Sequence, residues 1–485
     1  MLFNSYIFVL LFLPLSVVGY FLLNRRNTRV ATAYLLGMSL WFYAYFNVAY
    51  LPLIVGSILL NFSLNKLMRR FPAQRVRKGI MLLGVFINIG VLFYYKYYDF
   101  FATNVNSLFG AHWTLLNLVL PLGISFFTFQ QVSYMIDSYK GEVPDYPLLD
   151  YALFVTFFPQ LIAGPIVLHS EIVPQFMDPA KRRFQWGNFS RGLYAFALGM
   201  AKKVLLADVF GIAVNYAFAN IPSLNSTNAL IGVVGYIFQM YFDFSGYGDM
   251  AVGLGLMFNI EIPNNFLAPL RARNVKEFWK RWHITLTRFF TRYVYFPLGG
   301  SRKGLLRTCI NTMVVFFVSG FWHGAGWGYI LFGVNWGIAQ VIDIFIEKWW
   351  KKVPGALQWL CTFAFTVMNV TFFRAATVGD AMAIFQRIGA LDFGPIAQEI
   401  YEGFRPMEVE FVLYDILGRL VAMPDWMGTA LFFGLAFYLI LFSKSASERI
   451  RDFTPRAVNL ATTIGMLTLS ILSFSGVSTF LYFNF

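Results

Sequence analysis

Charge is scarce in this chain. Asp, Glu, Lys and Arg make up 13% of its 485 residues, about half the share usual in a soluble domain. Residues 30–65, 308–342 and 457–485 contain none of the four. Mean hydropathy is +0.60. This pattern excludes the two or three soluble domains the length would otherwise allow. What remains is an all-α polytopic membrane protein.

Cysteine and histidine are scarce as well. Cys309 and Cys361 both lie in apolar runs and are expected to be buried thiols. No ligand spacing points to a metal or a disulfide framework, so neither is expected. A basic stretch ahead of the first apolar run is missing too. "MLFNSYIFVLLFLPLSVVGYFLL" therefore reads as a first membrane helix and not as a cleaved signal, with Arg25, Arg26 and Arg29 at its cytoplasmic end.

The charge that is present is mostly positive, with a net of +14. It is scattered between apolar spans, which argues for orientation in a bilayer and against a nucleic-acid partner. Apolar spans are expected as a hairpin over 30–65 and near 79–98, 113–136, 151–168, 209–242, 308–342, 355–373, 427–443 and 457–480. Some are too long for one crossing or are broken by Pro and Gly, so about 10–13 transmembrane or re-entrant helices are expected. The chain is read as a single membrane domain over 1–485. The loop 66–78 is basic and 444–456 is richer in basic than acidic side chains, which places both in the cytoplasm. Residues 380–425 carry eight acids against three bases and are expected outside. The final span then runs outward and leaves the 480–485 tail, "FLYFNF", on the extracytoplasmic face.

Three polar clusters interrupt the apolar background. His323 sits near the middle of 308–342, in "VVFFVSGFWHGAGWGYILFGVNWG". An ionisable side chain in such a run is a functional candidate by default, and a neutral imidazole can serve as a general base. The plain alternative is a packing hydrogen bond to a neighbouring helix. Gly320, Gly324 and Gly328 recur at the small-xxx-small spacing of closely packed membrane helices. With Trp322, Trp327, Asn335 and Trp336 they are expected to close a tight aromatic site around His323. The second cluster, 271–303, holds nine Lys or Arg and a single acid, Glu277, interleaved with aromatics. It reads either as an amphipathic surface on an anionic membrane or as a mouth for a phosphate-rich ligand. Arg271, Arg273, Lys276, Lys280, Arg281 and Arg288 are the candidate phosphate contacts, and His283 lies among them. The third is "YFDFSGYGDMAVGLG", in which Asp243 and Asp249 stand in apolar surroundings and need partners. Asp243 is expected to orient a histidine or pair with an arginine of 271–292, and Asp249 to form a structural ion pair.

These segments, in this order, resemble the membrane-bound O-acyltransferase family. The match is to its bacterial branch that acetylates cell-surface polysaccharides, typified by the alginate O-acetyltransferase membrane subunit. "LPLGISFFTFQQVSYMIDSYKG", "FVTFFPQLIAGPIV", "EFWKRWHITLTRFFTRYVYFPLGG" and "GFWHGAGWGYILFGVNWG" carry the likeness, which spans about 1–345 and weakens beyond it. The resemblance implies a helical body around a central tunnel, with acetyl-CoA reaching it from the cytoplasm as substrate and no tightly bound cofactor. His323 and His283 fall on the family's two histidines, and Tyr482 on the tyrosine of its C-terminal FxYFxF motif. That hydroxyl would accept the acetyl group and pass it toward a polysaccharide, alginate or cellulose first among them. Transfer would run through a periplasmic SGNH-type acetyltransferase or similar partner at the bacterial inner membrane. Asp243, Asn335 and Trp322 would support the histidines. Two other classes stay open at this point, a transporter or flippase for a lipid-linked sugar or ion and a scaffold for a periplasmic enzyme. Within the enzyme class, a D-alanyl carrier protein or a long-chain acyl-CoA are alternative donors.

Overall fold

Helices account for all the regular structure among the described residues, which in this computed structural model are 1–419, 422–476 and 480–481. Six helices are long and apolar enough to cross a membrane: Val48–Arg70, Gln74–Phe109, Ser226–Met257, Leu305–His323, Trp327–Trp350 and Gly355–Arg374. Shorter apolar helices run over Phe8–Asn24, Met427–Leu441 and Ala457–Leu472. The chain is thus an all-α, multi-pass membrane protein.

Polar side chains set many of the boundaries. Asn27 accepts from the backbone N–H groups of Arg29 and Val30 and starts the Thr28–Ala44 helix. Asn47 starts Val48–Arg70 in the same manner, so the expected 30–65 hairpin becomes two helices. The expected span at 113–136 is half that, because regular structure begins only at Ile124. The run 151–168 is broken as well, into Leu148–Thr156 and the single turn Phe158–Leu161 at Pro159.

The packing resolves into two compact units whose boundaries interleave along the chain. The first comprises Met1–Ala197, Gly248–Asn264 and Phe453–Thr463; the second comprises Leu198–Tyr247, Asn265–Asp452 and Ile464–Phe485. The first unit is held by an aromatic core. Phe8, Phe12, Phe42 and Phe158 are all buried, with neighbouring ring centres 5.2–6.2 Å apart. It also buries His169, whose Nε2 lies 3.3 Å from Asp137 Oδ2 and whose Nδ1 lies 3.3 Å from the Tyr146 hydroxyl.

In the second unit the uncharged run 308–342 folds back on itself at Gly324–Gly326. The small-residue pattern works differently from its spacing. Gly320 and Gly333 face each other across the helix pair, and a Cβ on Gly320 would come within 2.8 Å of the Gly333 Cα. Gly328 instead meets the Phe372 carbonyl of the next helix. Glycine permits this contact because no side chain separates the backbones. The cysteines are not buried: Cys309 is half-buried and Cys361 exposed. Lipid tails are as apolar as a hydrocarbon side chain, so a residue in an apolar membrane helix needs no protein cover.

Candidate functional site

His323 is the last residue of the Leu305–His323 helix, at the start of the fold-back. Its Nδ1 is 2.6 Å from the Ser319 carbonyl one turn earlier. A carbonyl can only accept, so Nδ1 carries the proton and Nε2 is the ring's acceptor. The ring is buried and flanked by Trp322, Phe373 and Phe332, with ring centres at 5.0, 5.5 and 5.7 Å.

His283 links two short helices, Val275–Arg281 and Ile284–Phe290, with a left-handed backbone (φ +44°). A non-glycine residue holds that conformation only where its surroundings enforce it. Asn265 supplies the enforcement. Its backbone carbonyl accepts from the Ile284 N–H at 3.0 Å, and its side-chain Oδ1 accepts from the Thr285 N–H at 3.2 Å and the Thr285 hydroxyl at 3.0 Å. The Thr285 N–H is only a donor, so the amide oxygen is the atom that faces it. The same oxygen lies 3.3 Å from His283 Nδ1, which assigns the proton of this ring to Nδ1 as well. The two imidazoles stand 6.5 Å apart, and Trp322 contacts both.

Asp243 turns out to serve another partner than the one expected from its sequence. Among the described residues it pairs with no arginine of 271–292 but with Lys203, whose Nζ lies 2.8 Å from its Oδ1 and 2.6 Å from Asp208. Lys203 stands in a π-helical turn, Lys202–Ala207, a local widening that recurs at functional sites. The other oxygen of Asp243 accepts from the backbone N–H of Leu481 at 3.0 Å. Next to it, Phe480 is buried and stacks on Tyr247 at 4.7 Å, with Phe244 at 6.0 Å. Phe244 in turn meets the His283 ring edge-on at 4.8 Å. A line of rings therefore leads from the tail to both histidines. Tyr482 lies outside the described residues.

The other candidates separate. Asn335 donates to Asn369, which donates to the Phe332 carbonyl, so it supports a wall of the His323 pocket at one remove. Trp336 packs on Phe278 and Trp279, and Trp327 is exposed, so neither closes on the imidazole as expected. Arg271 donates to the carbonyls of Ile440 and Ser443, and Arg281 pairs with Glu277 at 2.7 Å. These two arginines hold the protein together. Arg273 is exposed against Gly355, and Arg288 is half-buried. Lys276 and Lys280 line a cavity of about 520 Å³ whose other walls include Trp279, Thr287, Glu347 and Ser319. That cavity reaches the residue whose carbonyl holds His323. Reading the sequence missed Lys203, Asn265, Phe244 and Phe373. Nothing near Asn265 in "IPNNFLAP" marks it, because its role exists only once residues 20 apart meet.

Comparison with known proteins identifies the family. The model of the MBOAT, membrane-bound O-acyltransferase family, matches residues 113–378. The chain is 37% identical over 523 aligned positions to the peptidoglycan O-acetyltransferase of Helicobacter pylori, covering 100% of this chain and 98% of that protein. It is 36% identical over 397 positions to a probable alginate O-acetylase of Pseudomonas putida, covering 79% of each. A teichoic acid D-alanyltransferase of Bacillus subtilis matches at 29% over 58% of this chain and 72% of its own. The protein is therefore a multi-pass membrane enzyme that transfers acyl groups to oxygen. It belongs to the membrane-bound O-acyltransferase family.

Proposed function

We propose that the protein takes acetyl groups from cytoplasmic acetyl-CoA and passes them across the inner membrane for O-acetylation of a cell-envelope polysaccharide. The observation that carries this reading is the pairing of two buried imidazoles, each bound through Nδ1, with a tail segment anchored at Leu481 and a lysine-edged cavity that reaches Ser319. In the first step His323 Nε2 takes the proton of the Tyr482 hydroxyl. The phenolate oxygen attacks the thioester carbonyl, the C–S bond breaks, and CoA leaves as the thiol after taking that proton back. A phenol with a pKa near 10 needs such a base at neutral pH. His283 would orient the thioester, and Lys276 and Lys280 would hold the CoA phosphates. The acetyl-tyrosine then gives its acyl group to a hydroxyl of a separate extracytoplasmic partner, such as an SGNH-type acetyltransferase, or of the glycan itself.

The acceptor polysaccharide is read as peptidoglycan ahead of alginate or cellulose. The full-length similarity to a peptidoglycan O-acetyltransferase supports that order over the shorter alginate matches. Intact-mass analysis after incubation with acetyl-CoA is the test. One acetyl group on the C-terminal peptide, absent in Tyr482→Phe and in His323→Ala, supports the relay. Turnover that persists in His323→Ala removes it, and labelling only from a D-alanyl carrier reassigns the donor.

A further inference from the structure

The cavity edged by Lys276 and Lys280 holds a hydroxyl that neither imidazole nor lysine accounts for. Its volume, about 520 Å³, is within the size range of small-molecule sites, about 300–1,000 Å³. One wall is a single face of the Leu305–His323 helix. Thr308, Thr312, Val315 and Ser319 line it, at the spacing of residues that stack along one side of a helix. Thr287 and Thr291 line it from the segment after His283.

A threonine in a helix commonly spends its hydroxyl on a nearby backbone carbonyl. Three of these do so. Thr308 donates to the Gly304 carbonyl at 2.9 Å, Thr291 to the Thr287 carbonyl at 2.7 Å and Thr287 to the Trp279 carbonyl at 3.4 Å. Thr312 makes no hydrogen bond through its hydroxyl among the described residues, although only 8% of it is exposed. A polar group so deeply buried is costly unless something pairs with it. The cavity is the place from which a partner can come.

The position of Thr312 selects the partner. It stands seven residues before Ser319, about 10 Å along the helix, and the Ser319 carbonyl holds His323. A thioester carbonyl placed at His323 therefore leaves a more distant part of the donor beside Thr312. In a pantetheine thioester that part is the arm between sulfur and phosphate, methylenes interrupted by two amides. Leu286, Phe290, Val315 and Phe316 offer the methylenes an apolar lining. A hydroxyl both donates and accepts, so it suits either end of an amide. We propose that the Thr312 hydroxyl binds an amide of the pantetheine arm and so helps to position the thioester at His323. The inference rests on the acyl-transfer reading and deepens it: recognition of the donor includes the arm, beside the phosphates.

The test is the KM for acetyl-CoA together with the Ki of pantetheine, which keeps the arm and lacks the nucleotide and its phosphates. In Thr312→Val both are expected to rise about five- to tenfold with kcat near native, and in Thr312→Ser both are expected to return toward native values. A purely structural threonine would lower the active fraction and leave KM and Ki unmoved, which overturns the proposal. A rise in the acetyl-CoA KM with an unchanged pantetheine Ki overturns it also, since Thr312 would then serve the nucleotide. So does a native chain that pantetheine fails to inhibit. No CoA release by the native chain removes the acyl-transfer reading itself, and the inference falls with it.

Discussion

His283 and His323 stand with ring centres 6.5 Å apart, and in both it is Nδ1 that is bound, by Asn265 in one and by the Ser319 carbonyl in the other. Both tautomers are thereby fixed with Nε2 as the acceptor. If His323 is the base and His283 positions the thioester, the two fail in different ways. His323→Ala should lower the rate of CoA release by about 10²–10⁴-fold with little change in KM. His283→Ala should raise KM as well. Steady-state CoA release by the purified variants separates the two, and equal KM effects in both would merge the roles.

Asn265 offers a sharper probe, because it acts on His283 without adding or removing volume at the ring. Asn265→Asp keeps an acceptor at Nδ1 and adds a negative charge there. An adjacent carboxylate favours the imidazolium and raises the pKa of the ring. The variant should then need a higher pH to reach full activity, so the acid limb of its kcat/KM profile moves up relative to the native enzyme. Asn265→Ala removes the acceptor and should lower activity without a matching shift of that limb.

How much of this could be read from the chain depends on distance along it. The motif around His323 is contiguous, so its apolar setting and single ionisable side chain marked it as a candidate before any fold was known. The fold-back at Gly324–Gly326 was not legible, because an uncharged run of 35 residues has no charge to mark where one helix ends. The basic cluster over 271–303 was visible as composition, but composition does not tell Arg271, bound to two carbonyls, from Lys280, on a cavity wall. The bond from Leu481 to Asp243 spans 238 residues. Only the packed helices bring those two together.

The Gly320–Gly333 contact predicts a steric cost. A Cβ on Gly320 would press on the Tyr329 carbonyl and on the Gly333 backbone, neither of which can rotate away. Gly320→Val should destabilise the protein by roughly 1–3 kcal/mol or more, as overpacking does, and shift Ser319 and His323 with the helix end. Gly37→Ala is the comparison, since its Cβ meets nothing within 4 Å. Thermal unfolding in one detergent should show a lower Tm for the first and little change for the second.

Lys276 and Lys280 line the cavity with exposed side chains. If they meet the CoA phosphates, Lys276→Gln with Lys280→Gln should raise the KM for acetyl-CoA about tenfold and leave kcat near native. The native KM should rise with added salt, since exposed charges are screened, and the double variant should lose most of that dependence. A change in kcat alone would place these lysines elsewhere in the cycle.

The tail anchor makes the most specific prediction, because Asp243 does two jobs that can be separated. One oxygen pairs with Lys203 and the other accepts from the Leu481 N–H. Asp243→Asn keeps an acceptor for Leu481, and Lys203 keeps Asp208 at 2.6 Å. Asp243→Ala keeps no acceptor. Acetyl transfer to Tyr482 should therefore survive in the Asn variant and fall at least about tenfold in the Ala variant, while release of CoA to water persists in both. Lys203→Met is the most damaging change in stability, since it strands the buried carboxylate of Asp243 and takes a partner from the partly buried Asp208, and breaking such a pair costs about 3–5 kcal/mol. Peptide mapping of the acetylated C-terminus in the three variants reads the outcome. Loss of labelling in Asp243→Asn as deep as in Asp243→Ala would show that the tail is held by the charge of Asp243 and not by the bond to Leu481.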